Sequence, residues 1–396
     1  MIYLDYAAAT PLDEKVFEVM KPFMADFFAN PAARYGAARV TRQALEAARA
    51  KVADALGAKP TEIVWTSGGS EGDNLAVQGV LRAAGSGAKW VTTAIEHQAV
   101  LGQVAPLSRL GYPCTVMAVS ESGVIDARAV AAAVDDSTVL VSVMLANNEI
   151  GTIQPVAELA KVVAAVRADR AARGISRPLY LHTDATAAAN FLSLQVSRLG
   201  VDLMTLSGGK IYGPRGAGIL YVRHGTRLEP LVYGGGQERG RRAGTENVAG
   251  AVGFAAALVA AQAARAAESR RLAALRDAAE RRLTAAISGV VVNGDPRRRL
   301  PNFLNLTIPG AEGTALVLYL DNAGLAAATG SACTTNDLDP SHVLTAIGRG
   351  RDEAASSLRL TLGHATTQAH IDRLVEVLPP IVERLRAIAG RRHSIN

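Results

Sequence analysis

EIVWTSGGSEGDNLAVQGVLRAAGSGAKWVTTA, residues 62–94, predicts a strand, a glycine turn, a helix and a second strand in succession. The ends of this stretch, 62–67 and 89–94, are short β-rich runs, and 74–84 has the composition of a helix. This order of elements is typical of an α/β domain with a mostly parallel sheet. Ligands of such sheets bind at the carboxyl ends of the strands.

The same alternation extends outward from this stretch. A helical pattern at 39–56 precedes it. Further strand-like runs follow at TVMAVS (115–120), TVLVSVML (138–145), PLYLHTDA (178–185), DLMTLSG (202–208) and GILYVR (218–223). The sequence therefore predicts a large α/β domain whose mostly parallel sheet is flanked by helices.

The alternation of strand-like and helical segments ends at about residue 251. An alanine- and arginine-rich helix predicted at 251–287 links this domain to apolar runs and a final helix at 367–390. These features indicate a smaller α+β C-terminal domain. We assign residues 14–256 to the large domain, and residues 257–396 together with 1–13 to the small one.

Composition excludes several classes of protein. Among 396 residues, 49% are hydrophobic, yet no run reaches the ~18 uninterrupted apolar residues of a membrane span. The start, MIYLDYAAATPLDEK, lacks the pattern of a signal peptide. The net charge of +6 comes from dispersed arginines, so nucleic acid is not expected as a direct ligand. With two cysteines, Cys114 and Cys333, no disulfide framework is expected, and we predict a reducing, cytoplasmic setting.

Lysine is rare in this chain, and Lys210 ends the segment Ser207-Gly208-Gly209-Lys210 directly after a predicted strand. A solvated loop lysine would fit the same pattern. A partly desolvated lysine at a strand end can instead form a Schiff base with a carbonyl cofactor.

Asp184 stands at another strand end, in LHTDAT (181–186). The residue could simply cap the next helix. Together with Lys210 it could serve pyridoxal phosphate, which needs a carboxylate beside its pyridine nitrogen. The turn Thr66-Ser67-Gly68-Gly69-Ser70-Glu71 offers free N–H groups and a helix N-terminus, the usual arrangement for a phosphate. That turn fits neither nucleotide-binding pattern, GxxxxGK[ST] or GxGxxG.

The two cysteines occupy different kinds of sequence. Cys114 in PCTVMAV is typical of a small core residue. Cys333, in TGSACTTN (329–336), lies among small polar residues that favour an accessible thiol.

Together these segments resemble cysteine desulfurases of the NifS/IscS type, fold-type I pyridoxal-phosphate enzymes of the class V aminotransferase family. The likeness extends from YLDYAAATP (3–11) to SLRLTLGH (357–364). The matching motifs are EHQAV (96–100), NNEIG (147–151), SGGKIYGPRG (207–216), GGGQERGRRAGTEN (234–247) and TGSACTTNDLDPSHVL (329–344).

The resemblance implies roles for individual residues. Lys210 would be the Schiff-base lysine, Asp184 the partner of the pyridine nitrogen, and His97 would stack on the ring and help to move protons. Cys333 would be the nucleophile that takes the sulfur. The phosphate would be held by Gly69, Ser70 and Ser207, with Thr245 from the neighbouring subunit of a homodimer. The substrate carboxylate would be bound by Asn148, which also lies beside the cofactor, and by Arg359, with Asn30 in the same pocket.

Two positions depart from the family pattern. Gly209 replaces the usual histidine before the lysine, and Ala187 replaces the usual glutamine three residues after the aspartate. Each change removes a polar contact worth about 0.5–1.5 kcal/mol. We therefore expect weaker cofactor binding.

The implied reaction converts L-cysteine to L-alanine and leaves a persulfide on Cys333 for an acceptor protein or thiol. A related aminotransferase, C–S lyase or selenocysteine lyase would share Lys210 and Asp184. A sulfur-relay scaffold would tolerate the weakened cofactor site. No metal site is predicted, and the identity of the acceptor does not follow from the sequence.

Overall fold

The computed structural model describes residues 1–330 and 340–393 of the chain. Cys333 lies outside the described residues. The strands are β1 (Ile2–Tyr3), β2 (Ile63–Thr66), β3 (Lys89–Thr93), β4 (Cys114–Met117), β5 (Thr138–Ser142), β6 (Tyr180–Asp184), β7 (Leu203–Ser207), β8 (Gly218–Val222), β9 (Val291–Asn293), β10 (Phe303–Thr307), β11 (Leu325–Ala326) and β12 (Ser357–Thr361).

Helices cover most of the remaining chain. They are α1 (Glu14–Met20), α2 (Pro22–Ala25), α3 (Gly36–Leu56), α4 (Gly69–Ala84), α5 (Gln98–Leu101), α6 (Val104–Arg109), α7 (Ala127–Ala133), α8 (Val156–Ala172), α9 (Val196–Leu199), α10 (Val248–Ala286), α11 (Gly313–Asn322), α12 (His342–Ala346), α13 (Arg351–Ala355) and α14 (Gln368–His393).

Seven strands form the main sheet in the order β2-β8-β7-β6-β5-β3-β4. Neighbouring strands run parallel, except that β8 is antiparallel to both β2 and β7. Strands β2, β6 and β7 therefore end at the same edge of the sheet. The predicted fold class, an α/β domain with a mostly parallel sheet, is confirmed.

Helices cover both faces of this sheet. Ile63 and Trp65 of β2 pack into one apolar core with α3, α8 and the first half of α10. Val64, between them, packs into a second core with Leu75 and Val80 of α4. Successive residues of a strand point to opposite faces, and both faces of this sheet are covered. Strands such as β2 and β5 therefore consist of buried residues, nearly all of them apolar or threonine.

A smaller unit lies C-terminal to the main sheet. The antiparallel strands β9, β10 and β12 form a three-stranded sheet, against which α11 and α14 pack. Leu4 joins the same apolar core, together with Leu272 and Leu283 from the second half of α10. The N-terminal segment thus packs with the C-terminal unit, although the domain boundaries given above stay a prediction.

Helix α10 connects the two units, at the position predicted for the linker helix. Its length and composition would suit a membrane span, but half of its most apolar stretch is buried inside the protein. Phe254 and Leu258 from its first half pack into the core of the main sheet. These contacts are those of a core helix in a folded domain.

Candidate active site

A cavity of about 360 Å³ lies at the edge of the main sheet where β6 and β7 end. Its size and concave shape are typical of small-molecule sites. It brings together most residues to which the sequence assigned a role. These are Gly69, Ser70, His97, Asn148, Asp184, Ser207, Lys210 and Arg359.

Two of the predicted site residues lie elsewhere. Asn30 is exposed, does not line this cavity, and accepts a hydrogen bond from the N–H of Ala32 at 2.9 Å. Thr245 is also exposed and outside the cavity, and its predicted role in a neighbouring subunit stays a prediction. Cys333 cannot be placed, since it falls outside the described residues.

The glycine turn comes close to β7 because Gly218 has no side chain. Gly218 pairs with Thr66 on one side and Ser207 on the other. A Cβ atom at Gly218 would lie 2.6 Å from the Cα of Gly68. The missing side chain therefore allows the N-terminus of α4 to face the cavity beside Ser207, where its N–H groups and dipole favour an anion.

Lys210 ends a short 3₁₀ turn that continues from β7. Its Nζ donates hydrogen bonds to the carbonyl oxygens of Ala7, at 2.8 Å, and Ala8. The Nδ2 atom of Asn190 donates to the carbonyl oxygen of Lys210 at 2.6 Å. The amine is thus held at the cavity by carbonyl groups of the N-terminal segment.

Asp184 and His182 lie on the same face of β6, near its carboxyl end. An oxygen of Asp184 accepts the N–H of Thr186 at 2.9 Å. His182 is fully buried, and its ring nitrogens contact the hydroxyls of Ser142 at 2.9 Å and Thr205 at 3.0 Å. Burial lowers the pKa of His182 to about 4, so its ring is neutral at pH 7.

His97 caps the N-terminus of α5. Its Nδ1 accepts the N–H of Ala99 at 3.0 Å. A neutral ring that accepts at Nδ1 carries its proton on Nε2. His97 lines the cavity, and in this tautomer its Nε2–H is a hydrogen-bond donor.

Arg359 is buried in β12 and is held on two sides. Its Nη1 donates to the carbonyl oxygen of Asn148 at 3.0 Å, and its Nη2 pairs with the carboxylate of Asp5 at 2.9 Å. Its Nε has no hydrogen-bond partner among the described residues. The guanidinium thus lines the cavity with two of its nitrogens held by the protein and its buried Nε unpaired in the described part of the chain.

Several buried polar atoms of the cavity wall have no hydrogen-bond partner in the described part of the chain. They include Thr186 Oγ1, Asn190 Oδ1 and Asp73 Oδ1. Buried polar groups are normally paired, so these atoms indicate a polar ligand. An amine, a carboxylate, a helix N-terminus and unpaired polar atoms together fit pyridoxal phosphate. Among the described residues, no group of three or more His, Cys, Asp or Glu could hold a metal ion.

The two departures from the family pattern differ in position. Ala187 lines the cavity, whereas Gly209 does not. A Cβ atom at Gly209 would meet only the Cγ of Arg215, at 3.4 Å. The backbone there leaves room for a larger side chain.

Nearly the whole chain is similar to known proteins. Residues 2–374 match the family model described as aminotransferase class-V. The chain belongs to the class-V aminotransferase family. It is 43% identical over 389 residues to a cysteine desulfurase IscS of Dictyoglomus turgidum, covering 98% of this chain and 96% of that protein. It is 42% identical over 386 residues to a cysteine desulfurase IscS of Methanosarcina thermophila, with 97% and 93% covered.

Solved structures of this family share the fold. A NifS-like protein superimposes with a TM-score of 0.88 at 32% identity, covering 97% of this chain and 99% of that one. SspA in complex with cysteine gives a TM-score of 0.78 at 34% identity, with 91% and 99% covered. The resemblance to cysteine desulfurases inferred from the motifs is confirmed.

Sequence reasoning missed several residues of the cavity wall. Asp73 follows the glycine turn by two residues, and that position in the first turns of α4 was the available signal. Tyr6 lines the cavity from the N-terminal segment, where the family motif YLDYAAATP already drew attention, and Asp5 beside it pairs with Arg359. Nothing in the sequence linked Asp5 to Arg359.

Proposed function

We propose that this protein is a cysteine desulfurase that takes sulfur from L-cysteine, forms L-alanine and carries the sulfur as a persulfide on Cys333. The observation that carries the proposal is the single cavity containing Lys210, Asp184 and Arg359. Relatives named cysteine desulfurase match this chain over nearly its full length.

Pyridoxal phosphate would be held by Lys210 through its aldehyde, by Asp184 at its pyridine nitrogen, and by Gly69, Ser70 and Ser207 at its phosphate. The cofactor supplies an electron sink for charge that develops at the Cα of a bound amino acid. The protein has to supply the positions of these groups and a path for protons.

Three groups of the chain serve the substrate. Arg359 would bind its carboxylate at the cavity wall, and the adjoining Asn148 fixes the position of the guanidinium. His97 lines the cavity, and its Nε2–H can donate a hydrogen bond to a ligand there. Lys210 Nζ is held by the carbonyl oxygens of Ala7 and Ala8. When it is free of these groups and neutral, this amine can accept the α-proton of the substrate and return it.

The Cys333 thiolate attacks the substrate sulfur. The new S–S bond forms as the sulfur–Cβ bond breaks, and the electron pair of that bond stays on carbon. Protonation of that carbon completes the methyl group of alanine. The enzyme then bears the sulfur as a persulfide that an acceptor protein or small thiol can remove.

The assembly we propose is a homodimer in the cytoplasm. Large apolar side chains are exposed in the N-terminal part of the chain, including Phe28 at 83% and Tyr35 at 58% exposure. Such a concentration is typical of an interface. A second copy would also bring Thr245 to the phosphate site. Two cysteines in the whole chain agree with a reducing compartment.

The test of the proposal is the Cys333→Ser variant. It should bind pyridoxal phosphate and change its absorption spectrum on mixing with cysteine, because Lys210 and Asp184 remain. It should release almost no sulfide in the presence of a reductant, and mass spectrometry should find no added sulfur. Serine is nearly isosteric with cysteine, so packing cannot explain a large loss.

Cys114→Ser is the matched control. Cys114 lies in β4, and burial raises the pKa of its thiol to about 12, so it is not a nucleophile at neutral pH. This variant should release sulfide at the wild-type rate. Release at that rate by Cys333→Ser would instead identify a C–S lyase, which needs no thiol of its own.

A further inference from the structure

A second carboxyl group lies behind Asp184. Asp73 is only 1% exposed, sits in α4, and lies within hydrogen-bonding reach of Asp184 on β6. Asp184 is 7% exposed and borders the cavity. Two carboxylates at such close range in a buried site cannot both be ionised without a cation between them.

The titratable groups that face Asp73 come from two elements. They are Asp184 and His182 on β6 and Glu96 in the loop after β3. The Nε2 of His182 lies 3.6 Å from Asp73 Oδ1, but the histidine ring is neutral. Glu96 is itself a buried acid. None of these groups provides a positive charge for Asp73.

Polar groups of the sheet surround this pair. The ring of His182 bridges the hydroxyls of Ser142, at 2.9 Å, and Thr205, at 3.0 Å. The Oδ1 atom of Asp73 has no hydrogen-bond partner among the described residues. No donor there compensates a negative charge on that oxygen.

We propose that Asp73 is a positioning residue that retains a proton and donates it in a hydrogen bond to Asp184, so that the negative charge of the pair stays on Asp184 at the cavity. The proton belongs on Asp73 because this group is the more deeply buried. Asp184 is less deeply buried, accepts the N–H of Thr186 at 2.9 Å and borders the cavity.

Two further observations agree with this placement. Burial and the nearby charge of Asp184 raise the pKa of Asp73 well above its ordinary value. The hydrogen bond from a protonated acid would also fix the orientation of the Asp184 carboxylate. A carboxylate fixed in this way is preorganised for a positive group in the cavity. This last step rests on the proposed function, in which that group is the protonated pyridine nitrogen.

Infrared spectroscopy of the purified holoenzyme tests the protonation directly. The wild type should show a band of a protonated carboxylic acid at pH 7.5 that shifts in D₂O. Asp73→Asn should lose that band. Glu96→Gln, which removes another buried acid, should leave the Asp73 band in place. If Asp73→Asn removes no protonated-acid band, Asp73 is ionised and the proposal is wrong.

Cofactor binding tests the positioning role. Asparagine at position 73 keeps a neutral donor, whereas alanine removes it. We expect Asp73→Ala to bind pyridoxal phosphate about 10- to 100-fold more weakly than Asp73→Asn, the effect of one hydrogen bond to a charged group. Circular dichroism checks that both variants are folded. Equal affinity of two folded variants would overturn the role.

These measurements separate the inference from the proposed function. Neither the infrared band nor the affinity for pyridoxal phosphate requires release of sulfur. A protein that shows both expected results but releases no sulfide from cysteine would keep the role of Asp73 and lose the desulfurase assignment.

Discussion

Individual charges in the site are held by partners that are distant in sequence. The pair between Arg359 and Asp5 joins residues that are 354 positions apart. The Arg359 side chain is 4% exposed, so its charge depends on this carboxylate. Asp5 therefore stabilises the fold and also fixes the position of the guanidinium at the cavity.

Replacing Asp5 by asparagine should expose this dependence. The substitution keeps the shape and removes the charge that compensates Arg359. We expect the free energy of unfolding to fall by about 1–3 kcal/mol, measured by urea denaturation. Asp321→Asn removes a similar charge from an exposed position in α11 and should change stability by less than about 0.5 kcal/mol. An equal effect of both substitutions would show that the buried pair contributes nothing specific.

The two unusual residues of the site can be tested by restoring the family pattern. The variant Gly209→His, Ala187→Gln should keep pyridoxal phosphate longer on dialysis than the wild type. Ala187 lines the cavity, and a Cβ atom at Gly209 would meet only the Cγ of Arg215, at 3.4 Å, so the positions can accept these side chains. One recovered hydrogen bond corresponds to about a two- to tenfold gain in affinity. Visible absorbance measures how much cofactor each protein retains. Equal retention by the two proteins would mean that other groups already compensate for the missing polar contacts.

At the scale of elements, the site depends on how closely β8 and the glycine turn approach each other. Gly218 stands between Thr66 and Ser207, at the ends of β2 and β7. A side chain here would meet backbone on both sides, at Gly68 and at the carbonyl oxygen of Leu206. Backbone cannot move aside as a flexible side chain can.

Gly218→Ala should therefore move the N-terminus of α4 away from Ser207. We expect a loss of about 1–3 kcal/mol in stability from overpacking, together with weaker binding of pyridoxal phosphate. Thermal unfolding and a cofactor titration measure the two effects. Gly36→Ala is the control, because a Cβ atom at the start of α3 would meet nothing within 4 Å. If Gly218→Ala kept wild-type stability and affinity, the close approach would not be needed.

The elements themselves were predictable from the sequence to within a few residues. Buried strands such as β5 and β7 are short apolar runs bounded by turn residues, a local signal that tertiary packing reinforces. Residues at strand ends, such as Asp184 and Lys210, could be placed together because parallel strands share an edge.

Contacts between distant elements were not predictable in this way. The pairing of Asp5 with Arg359 and of Asp73 with Asp184 depends on how whole elements pack, which no local period encodes. The role of Asn30 is also not settled by the packing of one chain. The resemblance placed it in the substrate pocket, but in this chain it is exposed and outside the cavity. Its role, like that of Thr245, stays a prediction that a dimer structure would test.

At the scale of the whole molecule, the cavity draws residues from nearly the entire chain. Its wall includes Tyr6 near one end and Leu362 near the other. Helix α10 packs its first half into the core of the main sheet and its second half into that of the smaller unit. The wall of the cavity is therefore formed only when both units are folded and joined.

Folding also buries acids that carry protons at neutral pH. Burial raises the pKa of Glu96 to about 8 and that of Glu149 to about 7. Glu96 accepts hydrogen bonds from Thr93 and from the N–H of Met144, and Glu149 accepts one from Ser341. These bonds lower both pKa values, but they do not outweigh burial.

Such groups make stability depend on pH in a direction that can be stated beforehand. Between the ordinary pKa of glutamate and the raised values, the folded protein binds more protons than the unfolded chain. The stabilising contribution is complete below about pH 4.5 and is lost as the pH rises through 7 and 8. Each proton contributes a slope of at most about 1.4 kcal/mol per pH unit. The free energy of unfolding, measured by denaturant titration at each pH, should therefore fall from about pH 5.5 to about pH 8.5 on account of these acids.

Glu96→Gln should flatten this decline, since glutamine keeps a similar shape and has no proton to lose. Its stability relative to the wild type should increase steadily as the pH rises from 5.5 to 8.5, a range set by the shifted acids. Glu121→Gln, at an exposed position, should run parallel to the wild type throughout. If the Glu96→Gln and wild-type curves stay parallel, Glu96 is ionised in the folded protein. The buried hydrogen bonds to Thr93 and Met144 would then suffice to hold its charge.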